Sequence, residues 1–71
     1  MIITPEQEKK LLEIIPTYQD LLKKEGFRGL LDEIAMEITD AFDRNQEPTA
    51  RSREIERLYD VLYYQNKERK E

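Results

Sequence analysis

The side chains here whose types and spacing could do chemistry are carboxylates. Asp32, Glu33, Glu37, Asp40 and Asp43 fall in one stretch, GLLDEIAMEITDAFDR at residues 29–44, and no Lys or Arg stands between Gly29 and Asp43. Acids gathered in this way can hold a divalent cation, divide into a general acid and a general base, or offer a negative surface to a basic partner. Glu33, Glu37 and Asp40 are spaced four and three apart, so a helix would bring them to one face. Helical di-metal sites complete such a set with histidines, and the chain has no histidine and no cysteine. The same lack removes the common zinc sites, a disulfide framework, a thiol nucleophile and an imidazole base. Asp43-Arg44-Asn45-Gln46-Glu47 alternates acids and amides in the manner of a calcium loop, but Pro48 occupies the place of the bend glycine. A carboxylate pair working as acid and base needs a cleft that desolvates one member, and so short a chain has little room to build one. No glycine-rich phosphate loop and no Ser-His-Asp set can be written from these residues. The expectation is a protein with no catalytic residue, no metal and no cofactor, and a negative surface as its main lead.

The acids need an element that holds them together. At about 100° per residue, Leu30, Leu31, Ile34, Ala35, Ile38, Ala41 and Phe42 fall within an arc of roughly 140°, with the five acids on the other side. The spacing predicts a helix over 29–44 with one face for a core and one anionic face, Met36 lying among the acids. Upstream, Thr4-Pro5-Glu6-Gln7 reads as a capping box that starts a helix. Leu11, Leu12, Ile15, Tyr18, Leu21 and Leu22 continue the apolar spacing across Pro16, so two short helices, 5–14 and 16–24, or one kinked helix are both compatible with the pattern. Gly26 supplies a stop, and Phe27 sits where it can pin the corner against the central helix. Downstream, Asn45 is placed as a left-handed cap, Gln46-Glu47-Pro48 as the turn and Thr49 as the cap of a last helix from about 50 to 66. That helix carries Ile55, Leu58, Tyr59 and Leu62 on one stripe. Val61, Tyr63 and Tyr64 lie outside the stripe's centre, with Tyr64 nearly opposite Ile55, so this helix offers more aromatic surface than one core needs.

Seventy-one residues make one domain, near the lower limit for a self-sufficient core. Residues 1–3 and 67–71 are expected to fray. A hydrophobic share of 38% beside 39% charged residues suits a small helical bundle with much exposed surface. The fold expected is all-α, a small three-helix bundle or a helical hairpin with an N-terminal helical arm. Its core is read as Leu11, Ile15, Tyr18, Leu22, Phe27, Leu30, Ile34, Ile38, Phe42, Ile55, Leu58, Tyr59 and Leu62. Sixteen acids against twelve bases give a net charge of −4. The five acids of the central stretch by themselves exceed that excess, and without them twelve bases face eleven acids, a near balance that argues against nonspecific nucleic-acid binding. No apolar run approaches a membrane span and no basic, apolar-centred leader opens the chain, so a cytoplasmic protein is expected.

Two motifs in the last helix point elsewhere. Ser52-Arg53-Glu54-Ile55-Glu56-Arg57-Leu58 is similar to the Ser-x-Glu-Leu-Asp-x-Leu signature of the small sporulation aspartyl-phosphate phosphatases. The resemblance implies an antiparallel helical hairpin acting on a response regulator, with Glu56 standing where that family has its functional Asp. The chain departs from that pattern at Glu56 and in its additional segment before Gly26. Thr49-Ala50-Arg51-Ser52-Arg53 could also open a recognition helix with Arg51, Arg53 and Arg57 exposed, but the helix before it is long and acidic and would be carried against the phosphates. These arginines are more simply partners for nearby acids, such as Glu54 with Arg57.

The function expected from these residues is that of a small non-enzymatic protein-binding module, a regulator or inhibitor of another protein. Its docking residues are read as Asp32, Glu33, Met36, Glu37, Asp40 and Asp43 on the acidic face, with Tyr63 and Tyr64 on the last helix. The partner is another protein with a basic surface, or a second copy of the chain. The plainer alternative for the acidic face is a solvated surface that aids solubility.

Overall fold

Local chemistry decides where the helices begin and end. A helix leaves its first amides without partners, and a hydroxyl just before it can take one over. At Thr4, Oγ1 accepts from the Gln7 amide at 3.2 Å while the Gln7 side chain accepts from the Thr4 amide at 3.0 Å, the reciprocal box read from the sequence. The computed structural model describes residues 1–67 and forms three α-helices: α1 Pro5–Ile14, α2 Tyr18–Asp40 and α3 Ala50–Asn66, with no strand among the described residues. This is a small all-α three-helix bundle.

Pro16 separates α1 from α2, which settles the choice between two helices and one kinked helix. Ile15 before it leaves helical geometry, at φ −132° and ψ 86°. A second break lies inside α2. Gly26 adopts φ 75° and ψ −173°, a conformation open to glycine and strained for any residue with a Cβ. The turn before the break then crowds the turn after it: a Cβ at Gly29 would lie 2.3 Å from the Glu25 Cβ. Gly26 thus supplies the bend and Gly29 the close approach that follows from it. The second arm of α2 begins directly after Gly26, and Phe27 packs half-buried against the core as expected.

The central helix ends earlier than its periodicity predicts, at Asp40 and not at residue 44. Asp43 is the cause. Its Oδ1 accepts from the amides of Asn45 at 2.8 Å and Glu47 at 3.0 Å, and its own amide donates to the Glu47 carbonyl. A short acidic side chain that bonds the backbone ahead of it competes with helix continuation. Gln46, at φ 63°, takes the left-handed position expected for Asn45. Thr49 then joins the two helices: its Oγ1 donates to the Ala41 carbonyl at 2.6 Å and accepts from the Ser52 amide at 3.1 Å.

α2 and α3 make the most extensive interhelical contact, as a hairpin about residues 41–49, and α1 lies antiparallel along α3. Leu11, Leu30, Ile34 and Leu62 are fully buried, joined by Ile15, Tyr18, Ile55 and Leu58. Each such side chain contributes about 1.5–3 kcal/mol of transfer free energy. Leu22, Ile38 and Tyr59 pack half-buried against this cluster, Phe42 is half-buried, and Leu31 is buried as well.

The first three residues are held, contrary to the fraying expected of them. The buried Asn66 carboxamide pairs with the Ile2 backbone at both ends, accepting from its amide at 2.7 Å and donating to its carbonyl at 3.1 Å. Gln65 donates to the same carbonyl and to Gln7, while Met1 and Ile3 pack on the core. Of the tail expected at 67–71, Lys67 follows α3 directly, and 68–71 lie outside the described residues. Among the described residues no helix is long and apolar enough to cross a membrane.

Candidate docking surface

The second arm of α2 turns Leu30, Ile34 and Ile38 inward, and geometry then decides which acids reach solvent. Asp32, Met36 and Asp40, each four residues from the next, form the exposed crest, with Ala35 and Thr39 exposed beside them. Met36 is 61% exposed, a high value for an apolar side chain on a helix that is buried along its opposite side. Glu33 and Glu37 are half-buried and occupy the shoulder between crest and core. Asp43 is absent from the face: the helix has ended before it and its carboxylate is spent on the loop amides of Asn45 and Glu47. The acidic face is therefore narrower than its sequence pattern, a two-aspartate ridge with a methionine at its centre and two glutamates along one side.

The tyrosines form a separate feature on α3. Tyr63 and Tyr64 are 42% and 62% exposed. Their rings meet edge to face, with centroids 5.3 Å apart and planes at 77°, and the Lys67 Nζ lies 4.7 Å from the Tyr64 centroid. A cation over the ring face and an aromatic edge against it are both favourable to the ring quadrupole. No hydrogen bond among the described residues joins these tyrosines to the acids of α2, so two candidate surfaces stand where the sequence suggested one or two.

Charges elsewhere are mixed. The groove between α1 and α3 sets Lys10 and Arg57 beside Glu6 and Glu54, and its continuation sets Lys10 and Arg51 beside Glu13 and Glu54. From Asp32 to Asp40 the crest of α2 carries one sign only, with the exposed Arg28 one turn before it. Among the described residues no group of three or more acids converges as metal ligands do.

Tyr18 is the buried hydroxyl with a perturbed proton. Its Oη donates to the Glu8 carboxylate, and that hydrogen bond, aided by burial, raises its pKa above the ordinary 10.0. The contact ties the start of α2 to the middle of α1 and has a structural purpose. The segment resembling the phosphatase signature is divided between core and surface. Ile55 and Leu58 are buried, Glu54 and Glu56 are exposed, and the Ser52 hydroxyl is buried and bonded to the Thr49 backbone.

Leu12 and Ile2, neither of them in the core read from the sequence, are 43% and 47% exposed. No family model matches the chain, and no match is found among curated proteins or solved structures.

Proposed function

We propose that this chain is a non-enzymatic protein-binding module, a cytoplasmic regulator or inhibitor, that docks through the crest of α2 on a partner with a basic surface. The observation that carries this reading is Met36, 61% exposed between the exposed Asp32 and Asp40 on a helix arm whose neighbouring shoulder adds Glu33 and Glu37. Unlike charges steer partners together and set orientation, while an adaptable apolar side chain at the centre of a charged ring supplies desolvated contact once they meet. The crest is convex, so the partner brings the groove, and its lining is basic at the edges and apolar at the floor.

The test is a comparison of two baits. Wild-type protein and Asp32→Lys/Asp40→Lys are immobilised and exposed to host extract in dilute salt, and retained proteins are identified by mass spectrometry. A basic protein held by the wild type and lost from the variant, with the variant's helicity unchanged by circular dichroism, is expected. Identical retained sets would overturn the proposal.

A further inference from the structure

The outward stripe of α3 is complementary to itself. Arg53, Arg57, Asp60 and Tyr64 are spaced four, three and four residues apart, the recurrence that keeps side chains on one seam between packed helices, and all four are exposed. At about 100° per residue they fall within an arc of about 60°, nearly opposite the buried Ile55. Along the seam the order is cation, cation, anion, aromatic ring. Laid parallel on a copy of itself, the stripe would oppose arginine to arginine. Laid antiparallel about a two-fold axis at the height midway between residues 57 and 60, it sets Arg57 against Asp60 of the second copy and Asp60 against that copy's Arg57. The same register sets Arg53 against the Tyr64 ring, again twice, because a two-fold contact repeats each pairing.

We propose that α3 pairs antiparallel with α3 of a second copy of this chain along Arg53, Arg57, Asp60 and Tyr64. Charge complementarity selects both the occupant and its direction, since like charges opposed across the parallel alternative disfavour it. The ring is suited to the cation it would receive: Lys67 already holds its ammonium 4.7 Å from the Tyr64 centroid, and Tyr63 braces the ring at 5.3 Å. A planar guanidinium stacks on such a face better than an ammonium does. The pairing leaves the α2 crest uncovered, so a dimer would carry two acidic crests and could engage a repeated basic partner with both.

Sedimentation equilibrium of the full chain from micromolar to millimolar concentration tests the pairing. The mean mass of the wild type is expected to rise towards twice the monomer. Arg57→Asp and Asp60→Arg, each placing like charges across the axis, are expected to weaken association by about tenfold or more. The double variant Arg57→Asp/Asp60→Arg restores opposite charges at both central contacts and is expected to recover association to within a few-fold of wild type. Tyr64→Ala, which leaves every charge in place, is expected to weaken it as well. Circular dichroism checks that these exposed substitutions keep the helices. A wild-type mass that stays monomeric throughout, or a double variant as weak as the single ones, would overturn the proposal. Binding of a basic partner by the crest is a separate readout that neither result decides.

Discussion

Asn66 illustrates how much one side chain can organise in a chain of this size. Its carboxamide presents an acceptor and a donor in the spacing of a peptide group, and the Ile2 backbone meets both, so the segment before α1 is pinned to the end of α3 across a sequence separation of 64 residues. A second donor contact, to the Leu62 carbonyl at 2.9 Å, fixes the carboxamide on its own helix. Asn66→Ala leaves the Ile2 amide without its partner and removes one of the two side-chain donors to the Ile2 carbonyl. The expected loss is about 1–3 kcal/mol of unfolding free energy in chemical denaturation. Tyr18 makes a different prediction, in pH. The folded chain holds the phenol proton more tightly than the unfolded chain, where a tyrosine titrates near 10.0. Its contribution to stability is therefore complete below that pH and is lost as the pH rises through the higher folded-state value. Denaturation midpoints followed into alkali should fall less steeply for Tyr18→Phe than for wild type. Equal slopes would show that the Glu8 contact does not govern the titration.

At the scale of the elements, Gly26 carries the strongest demand on residue type. Its φ of 75° with ψ of −173° lies outside the regions that side chains tolerate, although a Cβ there would meet no neighbour. Gly26→Ala thus isolates backbone strain from crowding, and an expected cost of about 1–3 kcal/mol in thermal or chemical unfolding measures that strain directly. How legible these elements were depended on how local their causes are. The Thr4 box, the interruption at Gly26 and the Thr49 cap are each decided within a few residues and were readable from the sequence, whereas at Pro16 the spacing left two helices and one kinked helix both open. The end of α2 was not, because residues 41–44 continue the apolar and acidic pattern of the helix. Two local hydrogen-bonding schemes compete there, helix continuation and the Asp43 turn, and periodicity reports only one of them. The clasp between Ile2 and Asn66 joins distant segments through an amide of unremarkable sequence context, so no window of the chain could reveal it. The acids themselves were legible as a face, but their division into crest and shoulder depends on how the arm is rolled against α3.

For the whole molecule, shape and charge act together. The bundle extends 41 × 21 × 20 Å, so its helices run along a long axis and each keeps an outer side in solvent. On α1 and α3 those outer sides mix cations with anions; on the second arm of α2, past the exposed Arg28, they carry acids alone, and Asp32, Glu33, Glu37 and Asp40 together match the chain's net charge of −4. A ridge of one sign with Met36 at its centre predicts binding that is electrostatic in approach and apolar in its final contact. Exposed charges are screened over about 8 Å at physiological ionic strength, so such binding weakens as salt rises. The measurement that tests the central claim most directly is the dissociation constant of the basic protein captured by the wild type, followed against salt concentration for wild type and for Asp32→Lys/Asp40→Lys. The crest account predicts a wild-type affinity that falls steadily with salt and a variant that binds weakly at every concentration. A wild-type affinity indifferent to salt, or a variant that binds as the wild type does, would contradict it.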